Sequence, residues 1–74
     1  RSMASTKLLM DTLKYMPVGR TITVPELEYR TGRYGSNLRR VLDDLLELKI
    51  IKKINIDETG KKGSRLRVAY IRQI

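Results

Sequence analysis

Ser36, Asn37, Arg39 and Arg40 fall within five consecutive positions, and each has a side chain that donates hydrogen bonds. An arginine guanidinium can make a two-bonded contact with guanine or a phosphate, and asparagine can do the same with adenine. A second set, Lys61, Lys62, Arg65 and Arg67, gathers four positive charges near the C-terminus, and Arg33 and Tyr34 stand just ahead of the first set. Neither set is a nucleophile–base constellation. The chain has no cysteine and no histidine, so disulfides, thiolate metal sites, the usual general base and the usual soft metal ligands are all missing. No catalytic residue, metal, cofactor or small-molecule ligand is expected. The chemistry on offer is recognition of a polyanion.

The charge distribution supports the same expectation. The 74 residues carry a net charge of +8. Residues 1–48 hold eight basic and six acidic side chains, a balance of +2, whereas residues 49–74 hold eight and two, a balance of +6. The last third is therefore a concentrated cationic surface suited to nucleic acid. No apolar run approaches the roughly 18 residues needed to span a bilayer, and no signal-peptide pattern is present, so a cytoplasmic, nucleoid-associated location is expected. Arg1-Ser2 ahead of Met3 reads as a cloning remnant, leaving 3–74 as one domain, near the lower size limit for a core held by burial alone.

Three helices and a hairpin would position these residues. A first helix is expected over Thr6–Met16, capped by Ser5 or Thr6, with Leu9, Thr12, Leu13 and Met16 on one face. Leu8, Met10 and Tyr15 widen its apolar arc and are candidate dimer contacts, as is the tail after Tyr70. Pro17-Val18-Gly19 stops the helix, and Thr21-Ile22-Thr23 reads as a stub strand that pairs with a later hairpin. Thr23-Val24-Pro25-Glu26 fits a capping box opening a second helix that Gly32 ends.

Ser36 reads as the cap of a third helix, Ser36–Leu48, with Leu38, Val41, Leu42, Leu45 and Leu48 as its apolar stripe. Ser36, Arg40, Asp43 and Glu47 fall opposite, flanked by Arg39. Beyond Ile50 the period becomes two. Ile54 and Ile56 alternate with Lys53 and Asn55, Asp57 to Gly63 reads as a polar turn, and Leu66, Val68 and Tyr70 alternate with Arg65, Arg67 and Ala69. This predicts a hairpin with one packed face and one basic face. The facing of Lys52 and Lys53 is ambiguous.

This order of parts resembles a winged helix-turn-helix domain, an α+β fold of three helices with a C-terminal hairpin wing. Ile22-Thr23-Val24-Pro25-Glu26-Leu27 matches the start of helix two, Thr31-Gly32 the turn, Leu38, Leu42 and Leu45 the core of the recognition helix, and Lys49-Ile50-Ile51 the exit into the wing. The resemblance covers about residues 6–72. It departs at Lys49, where the family commonly has glycine, so that turn must be strained or built differently. Glu28 also departs, standing where a small apolar residue commonly packs.

The resemblance implies a sequence-specific duplex-DNA binder, most simply a small transcriptional regulator acting as a homodimer. Ser36, Asn37, Arg39 and Arg40 would read the major groove, Arg33 and Tyr34 would serve from the turn, and Lys61, Lys62, Arg65 and Arg67 would contact flanking phosphates from the wing. Arg39 and Arg40 could instead form surface ion pairs with Asp43 and Asp44, four residues on. That order is the less favourable one on a helix and opposes the macrodipole, so helix stability explains it poorly. Tyr34 could bond a phosphate or buttress the turn, Tyr29 reads as partly exposed packing, and Tyr70 as hairpin core. Two rival expectations are a protein-interaction module of a larger complex, its basic face meeting an acidic partner, and an architectural or replication-associated DNA binder with little sequence preference.

Overall fold

The computed structural model describes residues 2–58 and 65–74. Helix α1 (Thr6–Leu13) starts where the Ser5 hydroxyl accepts the Leu8 N–H at 3.2 Å, as its sequence predicts. It ends one turn before Met16. Tyr15 N–H and Met16 N–H bond back only three residues, to Thr12 O and Leu13 O, because the residue before Pro17 is steered away from helical geometry. Met16 is buried nonetheless. The Arg72 guanidinium adds to this last turn, its Nη1 lying 3.3 Å from both Leu13 O and Met16 O.

Strand β1 (Thr21–Thr23) leads directly into α2 (Val24–Thr31). Thr23 occupies the cap position, yet its side chain makes no capping bond, so the expected capping box does not form. Thr23 is also the last residue of β1, paired with Ala69, and the Glu26 carboxylate is drawn forward to Arg30 Nε at 3.1 Å. Gly32 closes α2 in the left-handed conformation (φ 72°, ψ 13°), its N–H bonding Glu28 O.

Helix α3 (Ser36–Glu47) is capped by Gly35, not by Ser36, which is its first helical residue. At φ 59° and ψ −132° Gly35 holds a conformation that residues with a Cβ avoid. Leu38, Val41, Leu42 and Leu45 are buried as the stripe predicts, but Leu48 lies past the helix end and is 45% exposed. Asp44 is the larger departure. It is fully buried and accepts the Ala4 N–H at 2.8 Å, clasping the segment ahead of α1. The expected surface pairs Arg39–Asp43 and Arg40–Asp44 are absent among the described residues, where the ion pair is Arg30–Glu26.

The exit from α3 explains how a lysine replaces the expected glycine. Lys49 N–H bonds Leu46 O and Ile50 N–H bonds Leu45 O, each at 3.0 Å, the paired reverse bonds of a Schellman ending. That ending requires a left-handed residue, and Lys49 adopts φ 61°.

Strands β2 (Ile51–Glu58) and β3 (Arg65–Arg72) form the hairpin, with β3 central in an antiparallel sheet of order β1-β3-β2. Strand β2 runs on through Asp57 and Glu58, which the sequence assigns to the turn. The register aligns Ile22, Tyr70 and Lys53 in one row and Thr23, Ala69 and Ile54 in the next. Directly opposed residues share a face, so Ile51 and Lys53 lie on the helix side with Ile22 and Tyr70. Ile54 and Ile56 lie on the other side. The expected single packed face is thus corrected: the isoleucines of β2 lie on the face away from the core, opposite to that of Val68 and Tyr70. Ile22, Leu27, Leu38, Val41, Leu42, Leu45, Ile51 and Tyr70, with Leu13 and Met16 from α1 and its turn, make one cluster between helices and sheet.

A non-glycine residue in the left-handed region costs about 1 kcal/mol or somewhat more. Lys49→Gly is therefore expected to raise the unfolding free energy by about 1 kcal/mol, read as a higher urea midpoint with an unchanged m-value. A lower midpoint would mean that the lysine side chain contributes more at the helix C-terminus than its backbone costs.

Candidate nucleic-acid interface

The exposed face of α3 divides along its length. Ser36, Asn37, Arg39 and Arg40 are exposed in the first half, and Asp43 and Glu47 in the second. This follows from the apolar stripe: once Leu38, Val41, Leu42 and Leu45 are buried, a 100° step per residue leaves these positions outward.

Tertiary packing then splits the first-half residues into two pairs. Ser36 and Arg39 line a groove of about 390 Å³ between α3 and the sheet, with Lys53 on its far wall and Leu42, Val68 and Tyr70 as an apolar floor. Asn37 and Arg40 line a smaller cleft of about 170 Å³ on the opposite flank, shared with Arg33, Ala4 and Leu8. Helix α3 is therefore flanked on both sides by cations, Arg39 and Lys53 on one and Arg33 and Arg40 on the other. A third depression, beside α1, mixes Asp11 with Lys14 and Arg33 and has no uniform sign.

The α2–α3 turn sets the height of these side chains. Thr31 Oγ1 donates to Leu27 O at 2.6 Å and accepts the Arg33 N–H at 3.2 Å. Glu28, the misfit with the resemblance, directs Oε2 toward the Gly35 N–H at 3.4 Å across the turn. Its charge is thus turned toward the backbone at the start of α3. Tyr34 is 60% exposed at the turn, and Tyr29 is 84% exposed, so the latter does not pack as expected.

Tyr70 ties the groove to the core. Burial pushes its hydroxyl above the ordinary tyrosine range, Asp43 adds to the rise, and Arg39 opposes it. Tyr70 and Arg39 line the same groove. Among the described residues no buried side-chain oxygen or nitrogen lacks a hydrogen bond.

Lys53 is the site residue whose facing the alternation pattern left ambiguous. Ile51 was the available signal: it is buried, and residues two apart on a strand share a face, so Lys53 follows it to the helix side. Arg65 and Arg67 lie on β3 opposite Glu58 and Ile56, while Lys61 and Lys62 lie outside the described residues. Of the candidate dimer contacts, Leu8 and Tyr15 pack against the chain's own core and Met10 is 62% exposed. No helix among the described residues is long and apolar enough to cross a membrane. Comparison with protein-family models, curated proteins and solved structures finds no match.

Tyr70 gives a test of this geometry. Burial and Asp43 penalise only the ionised hydroxyl, so its contribution is complete below the unfolded tyrosine value near 10 and is lost as pH rises through the higher folded value. Unfolding measured at stepped alkaline pH should show that loss, and Tyr70→Phe should flatten it. An equally steep loss in the variant would place the hydroxyl in bulk water.

Proposed function

We propose that this chain binds double-stranded DNA in the manner of a winged helix, with the first half of α3 in the major groove and the hairpin along flanking DNA. The observation that carries the reading is the pair of cationic flanks on α3. A helix with its side chains is about 10–12 Å across and the major groove about 12 Å wide, so a seated helix meets a phosphate strand on each side. Arg39 and Lys53 serve one strand and Arg33 the other. Asn37 and Arg40, at the outer end of the helix, are the groups that reach base edges.

The acids give the approach a direction. Asp43 and Glu47 are exposed on the second half of α3 and repel phosphates, so the helix enters by its N-terminal half. The net charge of +8 supplies long-range attraction. A small transcriptional regulator is the simplest role for such a module, by analogy with other proteins of this architecture.

Affinity for duplex DNA measured against salt tests the proposal. The logarithm of affinity should fall with the logarithm of salt at a slope of roughly 0.9 per neutralised phosphate. Arg39→Ala/Lys53→Ala and Arg33→Ala/Lys53→Ala should each make the slope shallower by about one per lost contact. Arg40→Ala alone should reduce discrimination between a selected duplex and random duplexes by about 1–3 kcal/mol. Absence of duplex binding at low salt would sink the proposal, and equal affinity for all duplexes would leave an architectural binder in place of a regulator.

A further inference from the structure

Among the described residues strand β2 is the outermost strand of the sheet and runs for eight residues, bonded to β3 on one side only. The opposite edge of the sheet, β1, has only three residues. Long open edges attract further strands, and lysines commonly guard them. Here Lys52 and Lys53 have a counterpart that simple guarding does not require. Residues 52–58 read Lys-Lys-Ile-Asn-Ile-Asp-Glu, and about Asn55 the segment mirrors itself with its charges reversed.

From this we infer that two copies of the chain pair edge to edge through β2, antiparallel and centred on Asn55. That register sets Lys52 opposite Glu58 of the second copy, Lys53 opposite its Asp57, Ile54 opposite its Ile56, and Asn55 opposite its Asn55. Flanking the central asparagine, the oppositions match opposite charges or two apolar groups, the combinations that stabilise cross-strand neighbours. Both the direction and the register are specified. A parallel in-register pairing sets lysine on lysine and acid on acid. An antiparallel pairing centred one residue earlier sets Lys52 opposite Ile56 and Lys53 opposite Asn55. Centring one residue later sets Ile54 opposite Glu58.

The fold makes the pairing useful beyond β2 itself. Opposed residues share a face, so the two-fold axis stands perpendicular to the sheet and keeps the helices of both copies on one side. The two three-stranded sheets become one continuous sheet. On its outer face Ile54 and Ile56 of each copy join into a single apolar patch. This inference does not depend on nucleic-acid binding. Lys53 is common to both surfaces, so the test is run without nucleic acid.

The chain has no cysteine, which permits a direct test. Opposed Cα atoms on antiparallel neighbours lie about 4.5–5.5 Å apart, inside the range of about 4.4–6.8 Å that a disulfide spans. Under mild oxidation Asn55→Cys should give a covalent dimer. Ile54→Cys should not, because residue 54 faces residue 56 of the other copy, but Ile54→Cys mixed with Ile56→Cys should. In sedimentation, Lys52→Glu/Lys53→Glu and Asp57→Lys/Glu58→Lys should each be monomeric, and their mixture dimeric. Circular dichroism of each variant confirms that it folds. The inference is overturned if the wild-type chain stays monomeric at its highest soluble concentration and Asn55→Cys crosslinks no more than Ile54→Cys. A wild-type dimer that survives both charge reversals overturns it equally, by placing the contact elsewhere.

Discussion

The row Ile22–Tyr70–Lys53 across the sheet is the constraint on which the rest depends. Tyr70 is the buried middle of that row, held from one side by the three-residue β1 and from the other by β2. Its seating fixes the parity of both long strands at once. Ile51 and Lys53 therefore face α3, and Ile54 and Ile56 face away. A shift of one residue would exchange these sets. It would bury the isoleucines of β2 and turn Lys53 from the groove beside Arg39, so core packing and groove charge are decided together.

Around that row, several groups serve two elements at once, as a chain with little interior must arrange. Arg72 ends β3 and at the same time donates to Leu13 O and Met16 O. Asp44 belongs to α3 but binds the backbone ahead of α1. Glu28 belongs to α2 but reaches the start of α3. In a domain of this size a smaller fraction of surface is buried than in larger ones, and such polar ties hold elements whose apolar contact is limited. Local preference gives way in places: Thr23 forgoes its capping bond to end β1, and Lys49 accepts a left-handed backbone so that Ile51 can enter the sheet.

The charge on the surface follows from the same economy. Leu38, Val41, Leu42 and Leu45 commit one side of α3 to the core, and what remains outward is cationic first and acidic later. Among the described residues neither arginine forms an ion pair with Asp43 or Asp44, and Asp44 is drawn inward to the Ala4 N–H. The guanidinium groups of Arg39 and Arg40 are consequently open to an external anion, one on each flank of the helix.

By itself the sequence determined the three helices, the hairpin, the stub strand at Ile22, the glycine end of α2 and the unusual exit at Lys49. These rest on local periodicity and on the backbone freedom of single residues, both of which act within a few positions. It also identified the exposed residues of α3, because helical spacing carries that information. Tertiary structure alone decided the facing of β2, the burial of Asp44 and the division of Arg39 and Arg40 between two flanks. Each of these depends on contacts between residues distant in sequence: Tyr70 with Ile22 and Lys53, and Ala4 with Asp44. A period-two pattern states that a strand has two faces, and only the register against a neighbouring strand states which face is inside.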